Sequence, residues 1–292
     1  MTITYNGTND ATVVISTNIK DYVAATINGG EVSIVQASTV SATTCGEIIY
    51  ALNGSSDNGF FYMEGTYKAT VELHGLTLTN PSGPVVNIMN GKRIEISAKK
   101  ETVNTLTDGI SSETDAWKAA LYCKGHIEFK GKGTLNVYGN YAHAIYSKEY
   151  MSVKNCTINV RSAIKDALHC REYFLMESGV VNLSGFQSDG LECTLDGLVS
   201  TGITIDHEDE DSGNIYILGG TLNIDMSHSS GVSITQDGTL TVSEDATVSV
   251  NGANGVDNIF SQPSGVYKTI RNGQLLIKKN NKTYNAVGII IK

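Results

Sequence analysis

The sequence predicts an all-β protein, a right-handed parallel β-helix with three strands in each rung of roughly 23 residues. Three observations carry that prediction. First, GTLNV at 133–137 returns as CTINV at 156–160 and as GVVNL at 179–183, two equal steps, and again as GTLNI at 220–224 after a longer one. Second, two other phrases recur in the same units: HAIYS, DALHC, DGLEC and SGVSI begin at 143, 166, 189 and 230, and HIEF, YMSV, YFLM and NIYI begin at 126, 150, 173 and 214. Repeats of this length, each too small to bury its own apolar face, must stack to make a core. Third, the chain is rich in Thr, Ser, Val, Ile and Asn, with 30 glycines and only 3 prolines in 292 residues, a mixture that favours strands and turns.

Within each phrase the period-2 alternation assigns the faces. Leu135 and Val137, Ile158 and Val160, Val181 and Leu183, and Leu222 and Ile224 point inward, and Asn136, Asn159, Asn182 and Asn223 form an outward column. In the second phrase Leu121, Ile145, Leu168 and Leu191 point inward, followed two residues later by Cys123, Ser147, Cys170 and Cys193. A thiol nucleophile or metal ligand is one reading of these cysteines. The other, favoured by the absence of any thiolate-stabilising neighbour, is a ladder of small buried residues. Cys156, at a turn, is read as structural too. Five cysteines without a CxxC pair argue against a disulfide framework or a zinc-thiolate site.

Residues 1–70 are strand-rich without clean register and read as an N-terminal β cap or irregular first rungs; 71–258 form the β-helix; 259–292, with turns at RNGQ and KNNKT, form a C-terminal hairpin cap. The stretch 97–118 reads as an excursion carrying the only tryptophan, Trp117. Beyond DGLEC, ITI at 203–205 reads as the first strand of another rung, and the acidic run DHEDEDSG then stands where the next DGLEC would fall.

A net charge of −9 argues against a nucleic-acid partner. It suits neutral ligands, or anionic ones held through a cation. No apolar span of membrane length is present, and the first ten residues do not read as a signal peptide.

Chemistry is expected at one corner of the coil. His143, Asp166, Asp189 and Ser230 take equivalent places, and Tyr146, His169, Glu192 and Ser233 follow three residues later. Rungs about 4.8 Å apart would make Asp166 and Asp189 near neighbours. Two carboxylates that close repel, so a proton, Lys165 or a bound cation must compensate. Ca²⁺ takes several oxygen ligands and suits stacked acids; Asp206, Glu208, Asp209, Glu210 and Asp211 would extend the same acidic face. The alternative is a set of solvated turn acids. Tyr138, Tyr141, Tyr146, Tyr150 and Tyr173 add aromatic rings of the kind that bind sugars.

The segments KRIEIS, NTLTDG, GTLNVYGNYAHAIYSKEYMSVKNCTINV, KDALHC and SDGLEC together resemble the carbohydrate-binding β-helix family whose fold is related to pectate lyases, over about Tyr67 to Asn251. The tail from 265 is similar to C-terminal extensions on exported proteins of gut Bacteroidetes-type bacteria. The resemblance implies a secreted or surface protein that binds acidic polysaccharide such as polygalacturonate, with calcium held by acids on the helix face. Its acid positions fall on Asp166 and Asp189; one rung earlier this chain has His143. The expected ligand-binding set is therefore His143, Tyr146, Lys165, His169 and Glu192, the expected metal set Asp166, Asp189, Asp206, Glu208, Asp209 and Asp211, and the expected state a monomer. A polysaccharide lyase with Lys165 as base is the alternative, and a structural surface β-helix or adhesin the third.

Overall fold

The computed structural model describes residues 1–110, 117–205, 207–252, 266–271, 274–279, 282–285 and 290–291. Among these every regular element is a strand, and no helix is long and apolar enough to cross a membrane. The strands stack in parallel on three faces, as the repeats predict. One face, here the leucine–cysteine face, runs through Gly30–Gln36, Gly59–Gly65, Val86–Asn90, Ala119–Cys123, His143–Ser147, Leu168–Cys170, Leu191–Cys193 and Ile234–Gln236. The tyrosine face follows it in each rung, with Ile127–Gly131, Met151–Val153, Tyr173–Met176 and Asn214–Ile217 at its centre. The asparagine face completes the rung, with Thr134–Gly139, Thr157–Ala163, Val180–Leu183 and Gly220–Asp225.

The interior consists of ladders. Leu121, Ile145, Leu168, Leu191 and Ile234 align, as do Met151, Phe174 and Ile215, all fully buried. The outward asparagines form a side-chain chain: Asn159 Nδ2 donates to Asn136 Oδ1 at 2.8 Å, Asn182 to Asn159 at 2.7 Å, and Asn223 to Asn182 at 2.8 Å. Asn159→Ala breaks two of these bonds at once. It is expected to cost about 1–3 kcal/mol, read as a lower urea midpoint with an unchanged slope.

The cysteine ladder is structural. Cys123, Ser147, Cys170 and Cys193 are all fully buried. Each points its S–H or O–H at the carbonyl where the tyrosine-face strand begins: Cys123 to His126, Ser147 to Tyr150, Cys170 to Tyr173 and Cys193 to Asn214. Burial pushes the Cys123 and Cys156 thiols up to about 12, and Cys193 well up too, which removes thiolate chemistry.

At the N-terminal end Thr2–Asn6 joins the stack in parallel with Ile48–Ser56. Thr2–Asn6 pairs antiparallel with Asn9–Val14, and Val23–Asn28 antiparallel with Gly30–Gln36, which then accepts Gly59–Gly65 in parallel. At the other end Val266–Arg271 adds in parallel to Leu240–Ser243, then pairs antiparallel with Gln274–Lys279, and that strand with Lys282–Asn285. The centres of the two expected tail turns, 272–273 and 280–281, lie outside the described residues.

Three sequence expectations need correction. Residues 103–108 do not belong to an excursion: Val103–Asp108 is an asparagine-face strand, with Asn104 opposite Leu135. Asn104 occupies an inward aliphatic position. It is fully buried, accepting from Gly75 N and Leu76 N and donating to Thr134 O, so the hydrophobic pattern hides it. Next, ITI is not a strand. Residues 194–213 form one loop inserted between Leu191–Cys193 and Asn214–Ile217 of the same rung. Gly202 and Ile205 have φ of +72° and +73°, which interrupts extended backbone, and Ile205 is 77% exposed. Finally, SGVSI is out of register by two. Val232 and Thr235, rather than Ser230 and Ser233, follow Asp189 and Glu192: Leu191 pairs with Ile234 and Glu192 with Thr235.

Candidate functional site

The outward residues of the leucine–cysteine face form a continuous column: Tyr62, Asn87, Tyr122, Tyr146, His169, Glu192 and Thr235, each opposite the next. Rings stack along it, with Tyr122 and Tyr146 at 5.7 Å between centroids, and Tyr146 and His169 at 4.5 Å and nearly coplanar. Beside it, at the corner where the chain enters this face, His143, Asp166 and Asp189 stand one rung apart.

As expected, the structure brings Asp166, Asp189 and Glu192 together, with carboxylate oxygens within 4.8 Å of one another. Asp166 is buried. Its Oδ1 accepts from Asp189 N at 3.0 Å, and its Oδ2 lies 3.0 Å from His143 Nδ1 and 3.1 Å from His169 Nδ1. His169 Nδ1 is also 3.4 Å from Glu192 Oε2. Asp189 accepts from Val232 N at 2.8 Å and from Thr235 Oγ1 at 2.6 Å, and a Cβ on Gly231 would stand 2.2 Å from its Oδ1. Only glycine fits that position.

Two imidazole rings, and not Lys165, face the buried Asp166 carboxylate. Burial works against a charged His169, but Asp166 and Glu192 overcome it and push the ring up to about 9. Burial instead pulls His143 down, against the pull of Asp166. Burial would raise the Asp166 carboxyl, yet the two histidines beside its Oδ2 hold it well below the carboxylate range. Lys165 is exposed, with no ion pair among the described residues, and reaches the cluster only through its charge, which adds to the lowering of His143. Tyr146 joins the cluster through its stack on His169.

The acidic loop goes elsewhere. Asp206 lies outside the described residues. Glu208, Asp209 and Asp211 leave the far end of the leucine–cysteine strands, so they do not extend the Asp166–Asp189 corner. Arg171 Nη2 anchors the loop by donating to Leu195 O and Asp196 O. Glu208 then borders a trough of about 620 Å³ on the tyrosine face, lined also by Arg93, Lys130, Tyr150, Lys154 and Tyr173. Asp209 is exposed. Burial, and then Glu149, raises the Asp211 carboxyl. Glu210 is fully buried, accepting from Asn214 Nδ2 at 3.0 Å and Tyr216 OH at 2.8 Å. These are contacts between separate faces, which repeat spacing does not encode.

Sequence reasoning missed a second ionic cluster. His126, Glu149 and Glu172 recur at the rung interval, at the corner entering the tyrosine face. His126 Nε2 lies 2.6 Å from Glu149 Oε2 and 3.3 Å from Glu172 Oε2, and its ring stacks on Tyr150 at 4.3 Å. That shared interval was the signal that could have found it.

The donor set at Asp166 fits a divalent cation. Calcium prefers six to eight oxygens, whereas here nitrogen faces the buried Asp166 oxygen from two sides, so the fit to calcium is incomplete.

Fold and site together define a parallel β-helix with a carboxylate–histidine cluster beside an aromatic strip. The family model described as carbohydrate-binding domain-containing protein matches residues 28–291, and the chain belongs to that family. Among solved structures it is similar to the polysaccharide lyase-like protein from C. thermocellum, described as a gadolinium derivative, with a TM-score of 0.65 at 19% identity over 89% of this chain and 96% of that one. A comparison with curated proteins gives no match.

Proposed function

We propose that the protein binds an acidic, uronate-containing polysaccharide without cutting it. The polymer would lie along the leucine–cysteine column, its carboxylates bridged to Asp166, Asp189 and Glu192 by a divalent cation, calcium being the ion the family resemblance implies. The observation that carries this reading is the junction of two features on one outward sheet face: a ladder of stacked rings running from half-buried Tyr122 to buried Tyr146 and His169, and a carboxylate cluster beside it whose accessible members are the half-buried Asp189 and Glu192. A uronate chain meeting Asp189 and Glu192 directly would be repelled, and a shared cation turns that repulsion into attraction. Work as a monomer outside the cell, where such polymers occur, belongs to the same proposal.

Affinity electrophoresis tests it. Polygalacturonate in the gel should retard the chain when calcium is present, and an Asp189→Ala, Glu192→Ala double variant should run freely. The ultraviolet absorbance of unsaturated uronate should stay flat throughout. Unchanged mobility with every acidic polysaccharide, with and without cation, overturns the proposal, and a rise in absorbance moves the protein to the lyases.

A further inference from the structure

The Asp166 cluster has a geometry more particular than a pair of acids. Four side-chain atoms converge there. His143 Nδ1 and His169 Nδ1 lie 3.0 and 3.1 Å from Asp166 Oδ2, and Glu192 Oε2 lies 3.4 Å from His169 Nδ1. Ligands held tetrahedrally around an ion at 2.0–2.2 Å stand about 3.3–3.6 Å from one another, so these three separations fall a few tenths of an ångström short of a coordination shell or within it.

The hydrogen bonding agrees. The His143 side chain is 9% exposed, yet its Nδ1 makes no hydrogen bond although Asp166 Oδ2 is only 3.0 Å away. The nitrogen is near that oxygen without being aimed at it, as two ligands of one ion are. Buried polar atoms in folded proteins are nearly always partnered, so at His143 Nδ1 this cluster lacks a member.

We propose that His143, Asp166 and His169 bind a zinc-class divalent ion, with Glu192 in an exchangeable fourth position. Two imidazoles and two carboxylates suit an ion that accepts nitrogen and oxygen, and they exclude a strict oxygen-seeker such as calcium from this set. The ion's two charges balance Asp166 and Glu192, with both imidazoles neutral. Three rungs supply the ligands from stacked strands, so little ordering remains to be done on binding. Glu192 is the outermost ligand, at 3.4 Å and 23% side-chain exposure, and a sugar carboxylate would enter there. That last step rests on the polysaccharide reading, whereas the ion site does not.

The test uses the full chain and metal alone. After incubation with zinc or cobalt and desalting, the chain should retain one zinc or one cobalt, and excess calcium should not displace it. The cobalt form should show the intense visible bands of a four-coordinate site, and His143→Gln or His169→Gln should abolish retention. If these variants fail to fold, an anomalous zinc peak between the two Nδ1 atoms in crystals of the unchanged chain serves instead. Failure to retain zinc or cobalt overturns the proposal, as does retention that survives His143→Gln in a folded variant, or an ion seated elsewhere. Zinc retention without any shift on polygalacturonate would sink the polysaccharide reading and leave this one standing; calcium-dependent retardation by a chain that retains no zinc would do the reverse.

Discussion

Phe174→Ala is expected to destabilise the protein by about 3–5 kcal/mol, the usual cost of emptying a large aromatic site in a core. Phe174 is fully buried and lies between Met151 and Ile215 in the interior ladder. In a stacked coil each rung contacts only its neighbours, so a cavity in a central rung weakens two interfaces at once and should uncouple the two halves. Urea unfolding followed by circular dichroism should show a lower midpoint and a broadened or two-step transition. Val199→Ala, at a side chain 85% exposed, should change stability by no more than about 0.5 kcal/mol. A Phe174→Ala cost below about 1 kcal/mol would mean that the rung interior can close over the gap, against the ladder packing described above.

The second large effect is on pH dependence, at His126. Burial disfavours its charge, but Glu149 and Glu172 outweigh burial and push the ring up to about 9. Glu172 is itself pushed up by burial in spite of the imidazolium, so Glu149, at 2.6 Å, is the partner that holds the proton in place. A histidine whose folded value is raised binds its proton more tightly in the native state. The stabilisation is therefore complete below the unfolded value of about 6.5 and disappears as pH rises through about 9. The full shift corresponds to about 3 kcal/mol, and partial solvent screening reduces it to about 1–3 kcal/mol. His169, also pushed up to about 9, adds to the fall in the same window. Stability measured from pH 6 to pH 9.5 should therefore fall by more than that amount in the native chain, and the fall should shrink by the His126 share in His126→Gln. A slope left unchanged by the substitution would assign the pH dependence to other groups.

Adjacency in a parallel β-helix is a fixed step along the chain, which is why so much of this molecule is legible in its sequence. The rung interval alone places Asn159 against Asn136 and Asn182, buries Leu168 and Cys170, and brings Asp166 to Asp189. It would equally have found His126, Glu149 and Glu172. The limits are as instructive. The SGVSI register escapes a reading of the pattern because side chains alternate with a period of two: a slip of two residues leaves each residue on the same side of the strand and still sets an aliphatic residue, Ile234, against Leu191, so the alternation cannot detect it. Asn104 escapes notice because a buried amide satisfied by three backbone groups reads, in one dimension, as a break.

The sequence by itself determined the coil, its three faces, the interior ladders and the meeting of Asp166 with Asp189, since each follows from repetition at a constant interval. Only the tertiary structure decided that imidazole rather than Lys165 faces the buried Asp166, and that the inserted loop carries Glu208 and Glu210 to the tyrosine face. Both depend on where side chains and an inserted loop point once the rungs are stacked. Arg171 holding Leu195 and Asp196, and Tyr216 holding Glu210, are contacts between residues that no regular interval relates.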